Sequence, residues 1–341
     1  MRILVTGHKG YIGTVMTPIL LDAGHEVIGL DSGLFQGCAF APGFRDVPEL
    51  ALDLRDVQRR HLEGFDAVIH LAALSNDSLS NLNPEVTYDI NHAASVRLAQ
   101  IAKDAGVRRF LFSSSCSLYG TANGERVKES AGLDPVLPYS ITKFLVEQDV
   151  AKLADETFSP TFLRNATAYG VSPRFNVELV LNNLVAWACT KGSLYIKSDG
   201  SGWRPTVHVE DISRGWLAAL EAPREVVHNQ AFNVGLTEEN YSIRMLAEIV
   251  QEVVPGARFE YAKDPAPTTR SYRVDFGKIQ SLLPAFKPRW NVRKGAEQLY
   301  AAYRDAGFVF EDCEGPRFNR VVWLKQLLAA GRLNPALRWI A

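Results

Sequence analysis

The chain has 341 residues, of which 47% are hydrophobic and 22% are charged. This balance is that of an ordinary globular protein, and it excludes a disordered or collagen-like chain. At about 150 residues per domain, the length predicts two domains or one large domain with a lobe attached. Lysine and arginine number 37 against 38 aspartates and glutamates, so the net charge is −1. Without a global basic field, we expect neither nucleic acid nor an anionic membrane as a partner.

The cysteines and the lengths of the apolar runs indicate the cellular compartment that we expect for the protein. The four cysteines stand far apart and form no CxxC pair, so they fit neither a zinc motif nor a disulfide framework. We therefore expect no metal site and a reducing, cytoplasmic setting. No apolar run reaches the roughly 18 residues of a membrane span, and the N-terminal residues lack the pattern of a signal peptide. The cysteines are Cys38, Cys116, Cys189 and Cys313.

The first half of the chain alternates between short apolar runs and stretches with helical spacing. Asn83 and Pro84 suit the N-cap and the first position of a helix. Alternating strands and helices imply βαβ units with right-handed crossovers. The sequence therefore predicts an α/β fold, a Rossmann-type doubly wound parallel sheet with helices on both faces. Strands are predicted at residues 3–5, 26–30, 66–71, 109–112 and 161–163, and helices at residues 11–23, 84–104 and 138–154.

The pattern loosens after about residue 170, and we predict three regions. Residues 1–170 form the sheet domain, to which later strands return from about 205–235. Residues 171–305 form a smaller, interleaved C-terminal substrate lobe of mixed α/β structure, and residues 306–341 form a C-terminal helical extension. An amphipathic helix and a terminal anchor, expected to pack on the same chain, are predicted in that extension from Trp323, Leu324, Leu327, Leu328 and Trp339.

A glycine loop joins the first predicted strand to the first helix. Gly7, Gly10 and Gly13 follow a GxxGxxG spacing, which permits a tight turn and lets the backbone approach a pyrophosphate. The start of the helix offers free N–H groups and the positive end of its dipole to the same phosphates. Asp31 closes the second strand 18 residues after Gly13, where a carboxylate can bond the adenosine ribose and would repel a 2′-phosphate. The loop therefore predicts NAD as the cofactor, with NADP disfavoured.

A serine run, a tyrosine and a lysine follow. Tyr139 and Lys143 are four residues apart in a predicted helix, so they share a face. A tyrosine with an ordinary pKa of about 10 is a poor base, but a neighbouring ammonium and an oxidised nicotinamide would stabilise its phenolate. Ser113 to Ser115 follow the strand at 109–112, at the sheet edge where ligands bind in open α/β folds. Together these groups could move a proton from an alcohol while its carbon loses hydride to NAD.

Four segments carry a family resemblance. They are the glycine loop, His70-Leu71-Ala72-Ala73, the run Ser-Ser-Ser-Cys-Ser-Leu-Tyr-Gly at residues 113–120, and Pro138-Tyr139-xxx-Lys143. This set resembles the extended short-chain dehydrogenase/reductases, and within them the NAD-dependent nucleotide-sugar epimerase/dehydratase family that includes the UDP-glucose/galactose 4-epimerases. The resemblance covers residues 1 to about 305.

The resemblance implies roles for the motif residues. Tyr139 would be the base, Lys143 would bond the nicotinamide ribose and lower the tyrosine pKa, and Ser115 would bond the sugar hydroxyl. The family also implies a homodimer that forms a four-helix bundle from the helices at 84–104 and 138–154. The motifs and the resemblance together give as dinucleotide-binding residues Gly7, Gly10, Tyr11, Ile12, Gly13, Asp31, Asp53, Leu54, Leu71, Ala72, Ala73, Ser113, Tyr139 and Lys143.

The residues after Ser115 narrow the implied reaction. The 4,6-dehydratases that this chain resembles carry Asp-Glu there, and this chain carries Cys116 and Ser117. A 3,5-epimerase of the family uses a cysteine, but at the position of Ser117. The resemblance thus implies NAD-dependent epimerisation of a nucleotide-diphosphate sugar through a transient keto-sugar, usually at C4. An NAD(P)H-dependent reductase or a dehydratase on the same fold is the alternative, and a non-catalytic NAD-binding redox sensor is a third possibility.

The later segments supply the implied substrate contacts. Asn183 matches a residue that holds the nucleotide phosphate, and Arg204 matches an arginine that holds the diphosphate, a task that suits a guanidinium fork. Tyr272 matches a nucleotide-proximal tyrosine, and Arg270 could replace an arginine of the 4-epimerases that is absent here. Thr167 stands where a 4-epimerase has asparagine, which leaves the sugar and the nucleotide open. With Ser115, the implied substrate-binding residues are Ser115, Thr167, Asn183, Arg204, Arg270 and Tyr272.

Overall fold

The computed structural model describes residues 1–40, 44–122, 125–266 and 271–340. The strands are β1 (Arg2–Thr6), β2 (Glu26–Asp31), β3 (Glu49–Ala51), β4 (Ala67–His70), β5 (Arg109–Ser115), β6 (Arg126–Val127), β7 (Ser159–Asn165), β8 (Thr167–Tyr169), β9 (Ser193–Ser198), β10 (Trp203–His208), β11 (Gln230–Val234), β12 (Asn240–Ser242), β13 (Arg258–Ala266) and β14 (Arg273–Val274). The α-helices are α1 (Gly13–Asp22), α2 (Asp77–Ser80), α3 (Pro84–Tyr88), α4 (Ala94–Asp104), α5 (Pro138–Ala151), α6 (Val180–Lys191), α7 (Val209–Glu221), α8 (Arg224–Val227), α9 (Ile243–Val253), α10 (Gly277–Leu282), α11 (Val292–Asp305), α12 (Phe310–Glu314) and α13 (Arg320–Ala329).

A parallel sheet of seven strands in the order β11-β7-β5-β4-β1-β2-β3 organises the molecule. From β1 the chain builds outward through β2 and β3, and then returns to β4 and builds in the other direction. Alternate residues of β1 pack on opposite faces, since Ile3 and Val5 join a cluster with Trp216 of α7 and Leu4 joins a cluster with Leu98 of α4. The predicted doubly wound α/β fold is confirmed, and its order reverses beside β1, where such sheets bind ligands.

The later strands divide between sheets. β11 joins the edge of the main sheet beside β7, whereas β10 pairs with β8 in parallel and with β12 antiparallel in a separate mixed sheet. Of the strands expected to return to the first domain from about 205–235, β11 lies in the main sheet and β10 does not. The division at residues 170 and 305 stays a prediction.

The helix predicted at 84–104 has a break in its hydrogen-bonding pattern. Asn83 caps its start by accepting the Val86 N–H at 3.3 Å, and α3 continues through a π-helical turn at Asp89–Ala93 into α4. Asn91 lies in this turn, where its side chain accepts the Leu74 N–H at 2.8 Å and donates to the Leu74 carbonyl at 3.1 Å. The extra residue of a π-turn thus lets Asn91 hold the segment that follows β4.

The C-terminal segment (residues 306–340) packs over the first half of the chain. Leu324 and Leu327 of α13 join one apolar cluster with Leu79 and Val86 of α2 and α3. Two hydrogen bonds fix the segment to the loop after β2. Trp323 Nε1 donates to the Leu34 carbonyl and Trp339 Nε1 donates to the Ser32 carbonyl, both at 2.7 Å. The amphipathic helix and terminal anchor predicted from the sequence thus lie against residues 32–34.

A buried ion pair joins α5 to two strands of the main sheet. Arg164 of β7 donates to both carboxylate oxygens of Glu147 through Nε and NH2, with the shortest contact at 2.7 Å. The side chains are only 7% and 6% exposed. Ser114 of β5 donates to the same carboxylate at 2.5 Å. Because Glu147 lies one helical turn after Lys143, this pair sets the position of the residues at the start of α5.

We expect Glu147→Gln to lower the free energy of unfolding by about 3–5 kcal/mol, because it leaves the Arg164 guanidinium buried without a counter-charge. Urea denaturation measures the change. Glu252→Gln is the control, since Glu252 pairs with Arg293 on the surface and exposed pairs contribute about 1 kcal/mol or less. Equal effects of the two substitutions would contradict the central role of the buried pair.

A second buried polar group links β1, β4 and α4. His70 bonds Thr6 Oγ1 through Nδ1 at 2.6 Å and Ser95 Oγ through Nε2 at 2.7 Å. Burial, with a smaller effect of the Lys143 charge, lowers the pKa of His70 from 6.5 to about 3. The folded protein therefore holds this histidine neutral at pH values where the unfolded chain protonates it.

We expect His70 to make the protein less stable as the pH falls from 6.5 towards 3, because the unfolded state then binds a proton that the folded state does not. One such group contributes about 1.4 kcal/mol per pH unit. Urea denaturation at several pH values should show a shallower loss of stability for His70→Gln than for wild type. His61→Gln, at a half-exposed position, is the control. Parallel stability curves for His70→Gln and wild type would refute this assignment.

Candidate active site

A cavity of about 470 Å³ opens at the carboxyl ends of the central strands, where the strand order reverses. The structure brings together in its lining every predicted dinucleotide-binding residue and four of the predicted substrate-binding residues. The glycine loop lies at the end of β1, and the serine run lies at the end of β5. The predicted residues in the lining are Gly7, Gly10, Tyr11, Ile12, Gly13, Asp31, Asp53, Leu54, Leu71, Ala72, Ala73, Ser113, Ser115, Tyr139, Lys143, Thr167, Arg204 and Tyr272.

The glycine loop leaves no room for side chains. Gly7 has φ +75°, and a Cβ there would lie 2.8 Å from the Ala72 nitrogen. A Cβ on Gly13 would collide with the Gly7 carbonyl, so the loop packs directly on the segment after β4. Helix α1 begins at Gly13 with its N-terminus at the cavity. This bare backbone before a helix start suits a dinucleotide diphosphate.

Two aspartates lie on the cavity wall beyond the loop. Asp31 accepts the Gly33 N–H at 2.8 Å and the Lys9 N–H at 3.1 Å, so it ties the loop after β2 to the glycine loop. Asp53 caps a short 3-10 turn and accepts from Arg55 through three contacts of 2.7–2.9 Å. Burial alone would raise the pKa of Asp53, but the Arg55 hydrogen bonds lower it overall. Both carboxylates line the cavity as anions fixed in position, which suits ribose hydroxyls and opposes a phosphate.

The three predicted catalytic side chains line the same cavity. Lys143 Nζ lies 5.7 Å from the centre of the Tyr139 ring and 4.7 Å from that of Phe112. Burial lowers the pKa of Lys143 to about 7. Ser115 Oγ accepts the Ser117 N–H at 3.1 Å, which fixes the hydroxyl oxygen and leaves its proton for donation. The geometry therefore combines a tyrosine, a buried amine and an oriented hydroxyl.

The two residues after Ser115 face different surroundings. Cys116 Sγ lies 3.1 Å from the Arg164 carbonyl in the core, and Cys116 is absent from the cavity lining. Burial raises the pKa of its thiol well above the ordinary value. Ser117 does line the cavity, and its buried hydroxyl has no hydrogen-bond partner among the described residues. Ser117 therefore belongs to the cavity wall, whereas the Cys116 thiol lies in the core.

The far wall comes from the second half of the chain. Arg204 lies with its guanidinium carbon 5.9 Å from the centre of the Tyr272 ring, and both residues line the cavity. Asn183 is half-buried on α6 and is not in the lining. Its neighbour Asn182 is buried and accepts the Gly170 N–H at 3.0 Å, a structural role. Arg270 lies outside the described residues, so its predicted role and that of Asn183 stay predictions.

Several lining residues were not found from the sequence. Asn165 bonds Ser113 Oγ at 3.2 Å and Trp216 Nε1 at 3.1 Å, and thereby fixes the wall beside the serine run. Glu178 and Arg320 also line the cavity. Asn165 lies just after the strand predicted at 161–163, at the sheet edge where ligands bind, and that position is a signal for this residue. Glu178 and Arg320 belong to no motif, and Arg320 comes from the C-terminal segment.

Within residues 1–40, 44–122, 125–266 and 271–340, no three His, Cys, Asp or Glu side chains converge as a metal site would require. Over the same residues no helix is both long and apolar enough to cross a bilayer.

Comparisons with known proteins show which family has this fold and sequence. A model of the NAD dependent epimerase/dehydratase family matches residues 3–235. UDP-glucose 4-epimerase of Neisseria meningitidis is 31% identical over 262 residues, which are 69% of this chain and 77% of that protein.

Two solved structures are similar over most of the chain. MoeE5 in complex with UDP-glucuronic acid and NAD matches with a TM-score of 0.78 at 26% identity, over 90% of this chain and 100% of that one. DesIV, a dTDP-glucose 4,6-dehydratase from Streptomyces venezuelae with NAD bound, matches with a TM-score of 0.76 at 27% identity, over 91% and 99%. The glycine cradle fits the cofactor that these relatives bind. The chain belongs to the NAD-dependent epimerase/dehydratase family, in the extended short-chain dehydrogenase/reductase class, and NAD is its cofactor.

Proposed function

We propose that this protein epimerises a nucleotide-diphosphate sugar through a transient keto-sugar. We propose C4 as the carbon that is epimerised and Tyr139 as the base. One observation carries the proposal. Ser115, Tyr139 and Lys143 line a single cavity between the glycine loop and the Arg204–Tyr272 wall. A dinucleotide and a nucleotide sugar can therefore meet at the three residues that would move the proton.

Tyr139, Ser115 and Lys143 each have a separate role in the proposed proton transfer. Tyr139 takes the proton of the sugar hydroxyl, and Ser115 donates a hydrogen bond to the same oxygen as it becomes a carbonyl. Lys143, as an ammonium beside the ring, stabilises the tyrosine phenolate. NAD, held at the glycine loop, would supply the hydride acceptor and donor for the sugar carbon. The proton then returns from Tyr139, so the cycle has no net oxidation.

Arg204 serves the substrate in this proposal. A guanidinium fork on the far wall suits the diphosphate of the sugar nucleotide, and Tyr272 beside it suits the nucleoside. The reacting sugar then lies towards the serine run. The UDP-sugars bound by MoeE5 and the activity named for the Neisseria relative support this class of substrate.

A dehydratase or a reductase is the second candidate. Structural similarity to the DesIV dehydratase favours it. Against it, the wall after Ser115 offers the Ser117 hydroxyl, and the Cys116 thiol is buried against the Arg164 carbonyl. No carboxylate thus stands in this segment to remove a proton at C5. A reductase would need NAD(P)H at every turnover.

We further propose a cytoplasmic location and a homodimer. The four cysteines form no disulfide, which suits a reducing compartment. Ile141 and Leu145 of α5 are partly exposed at a spacing of four residues, and exposed Gln148 continues the same face. His92 and Asp149, at 2.9 Å, join this helix to the turn before α4. This short apolar stripe of Ile141 and Leu145 on α5, beside the turn before α4, suits a four-helix bundle with a second copy.

Substrate screening tests the reaction. We expect incubation with a panel of UDP-, GDP-, CDP- and dTDP-sugars, with NAD and no added reductant, to give a new chromatographic peak of unchanged mass for at least one sugar. Tyr139→Phe should lower that turnover by about 10²–10⁴-fold, because the proton transfer is lost. Tyr300→Phe, at a tyrosine away from the cavity lining, is the control.

Other outcomes would contradict the proposed base or the proposed epimerase reaction. Full turnover by Tyr139→Phe would remove the proposed base. A product lighter by one water would replace the epimerase by a dehydratase, and turnover of keto-sugars only with NAD(P)H would replace it by a reductase. Binding of NADH without turnover of any sugar would favour a sensor.

The dimer has its own test. We expect light scattering to give about twice the chain mass of 37.8 kDa. Leu145→Glu should give the monomer, since it places a charge in the apolar stripe. Leu282→Glu, at an exposed leucine on α10, should stay dimeric. A monomeric wild type, or a dimer unaffected by Leu145→Glu, would rule out this interface.

A further inference from the structure

Arg320 is a buried cation whose bonding capacity is largely unused. It is the first residue of α13 and is 3% exposed. Its NH2 group donates to the Arg174 carbonyl over a long 3.4 Å, and its guanidinium carbon lies 4.8 Å from the centre of the Phe35 ring. Its Nε has no hydrogen-bond partner among the described residues. Buried charged donors are unfavourable unless they are paired, so this side chain is suited to receive an anion.

The protein does not supply that anion directly. Glu178 Oε2 accepts the backbone N–H of Arg320 at 3.2 Å, so the hydrogen bond between these residues involves the main chain and not the guanidinium. A second cation, Arg174, lies beside Arg320. Burial lowers the pKa of Arg320, Glu178 opposes that effect, and Arg174 adds to it by a smaller amount. Among the described residues, no hydrogen bond joins the guanidinium donors of Arg320 to a carboxylate.

Arg320 lines the same cavity as the glycine loop. Arg174, whose carbonyl Arg320 contacts, donates through Nε to the Lys9 carbonyl at 3.2 Å. Lys9 directly precedes Gly10, and α1 begins three residues later at Gly13. The N-terminus of α1 and the buried arginine thus line one cavity from two parts of the chain. Both features select an anion, and a planar fork suits a phosphate.

Arg320 is held in place and is not on a free end. Three residues later, Trp323 bonds the Leu34 carbonyl at 2.7 Å, and its ring leaves no space for a side chain at Gly37. The loop it contacts begins after Asp31 and carries Phe35, over which the guanidinium lies. The C-terminal segment therefore positions Arg320 in advance, and little conformational entropy is lost when an anion binds.

We propose that Arg320 is a ligand of the diphosphate of the bound dinucleotide, supplied from the C-terminal segment outside the part of the chain that matches the family model. The inference rests on NAD binding at the glycine loop and not on the identity of the sugar or of the reaction. It gives the C-terminal segment a function, which is to close the cofactor site with a positive charge.

Ligand binding without turnover tests this proposal. We expect Arg320→Gln to weaken the binding of ADP and of NADH by about 10- to 100-fold, the usual effect of losing a charge-assisted hydrogen bond. Calorimetry measures the affinity for ADP, and NADH fluorescence measures the affinity for NADH. Adenosine, measured by competition with NADH, and UDP should bind within twofold of wild type. Arg317→Gln is the matched control, because Arg317 lies three residues earlier, pairs with Asp312 and is absent from the cavity lining. It should leave all four affinities unchanged.

The alternatives give different patterns. Unchanged ADP binding by Arg320→Gln would overturn the proposal. Loss of UDP binding with ADP retained would assign Arg320 to the sugar nucleotide, and equal losses for ADP and adenosine would make its role purely structural. If Arg320→Gln does not fold, Arg320→Lys is the second variant, because it keeps the positive charge but lacks the planar guanidinium. It should weaken the binding of ADP by at least threefold. Unchanged ADP binding by Arg320→Lys would then overturn the proposal. A wild type that binds NAD but converts no sugar would refute the proposed function and leave this inference intact.

Discussion

The buried pair between Glu147 and Arg164 is the constraint on which the site geometry depends. Glu147 stands on α5, Arg164 on β7, and Ser114, bonded to the same carboxylate, on β5. Helix α5 also carries Tyr139 and Lys143, β7 ends at Asn165, and β5 ends at Ser115. Because both charges are out of water, their attraction is strong and their separation is costly. The pair therefore fixes the helix that holds Tyr139 against the strand that holds Ser115.

Polar groups around the cavity are held in place by hydrogen bonds within the protein. Asp31 is fixed by two backbone N–H groups, Asp53 by Arg55, Ser115 by the Ser117 N–H and Leu74 by Asn91. Such contacts orient each group before a ligand arrives, so that less entropy is lost on binding. Two buried atoms without a hydrogen-bond partner among the described residues, Ser117 Oγ and Arg320 Nε, belong to residues that line this cavity.

The C-terminal segment packs against the first half of the chain. The family model ends at residue 235, yet α13 and the tail pack on α2, α3 and the loop after β2. Two tryptophans bond carbonyls of that loop, and Arg338 pairs with Asp56 at 2.6 Å. These contacts are numerous and apolar at their centre, which is typical of a permanent part of the domain. The cofactor end is thus built from residues near both ends of the chain.

The sequence by itself determined the features that depend on local spacing. The alternation of strands and helices predicted the doubly wound sheet, the three glycines placed the dinucleotide loop, and the four-residue spacing put Tyr139 and Lys143 on one face. These follow because the side-chain period of a strand or helix is fixed by its backbone. Only the tertiary structure decided which distant residues meet. β10 pairs outside the main sheet, and Arg320 contacts a carbonyl 146 residues away. Such contacts arise from the packing of whole elements, and no short-range period in the chain encodes them.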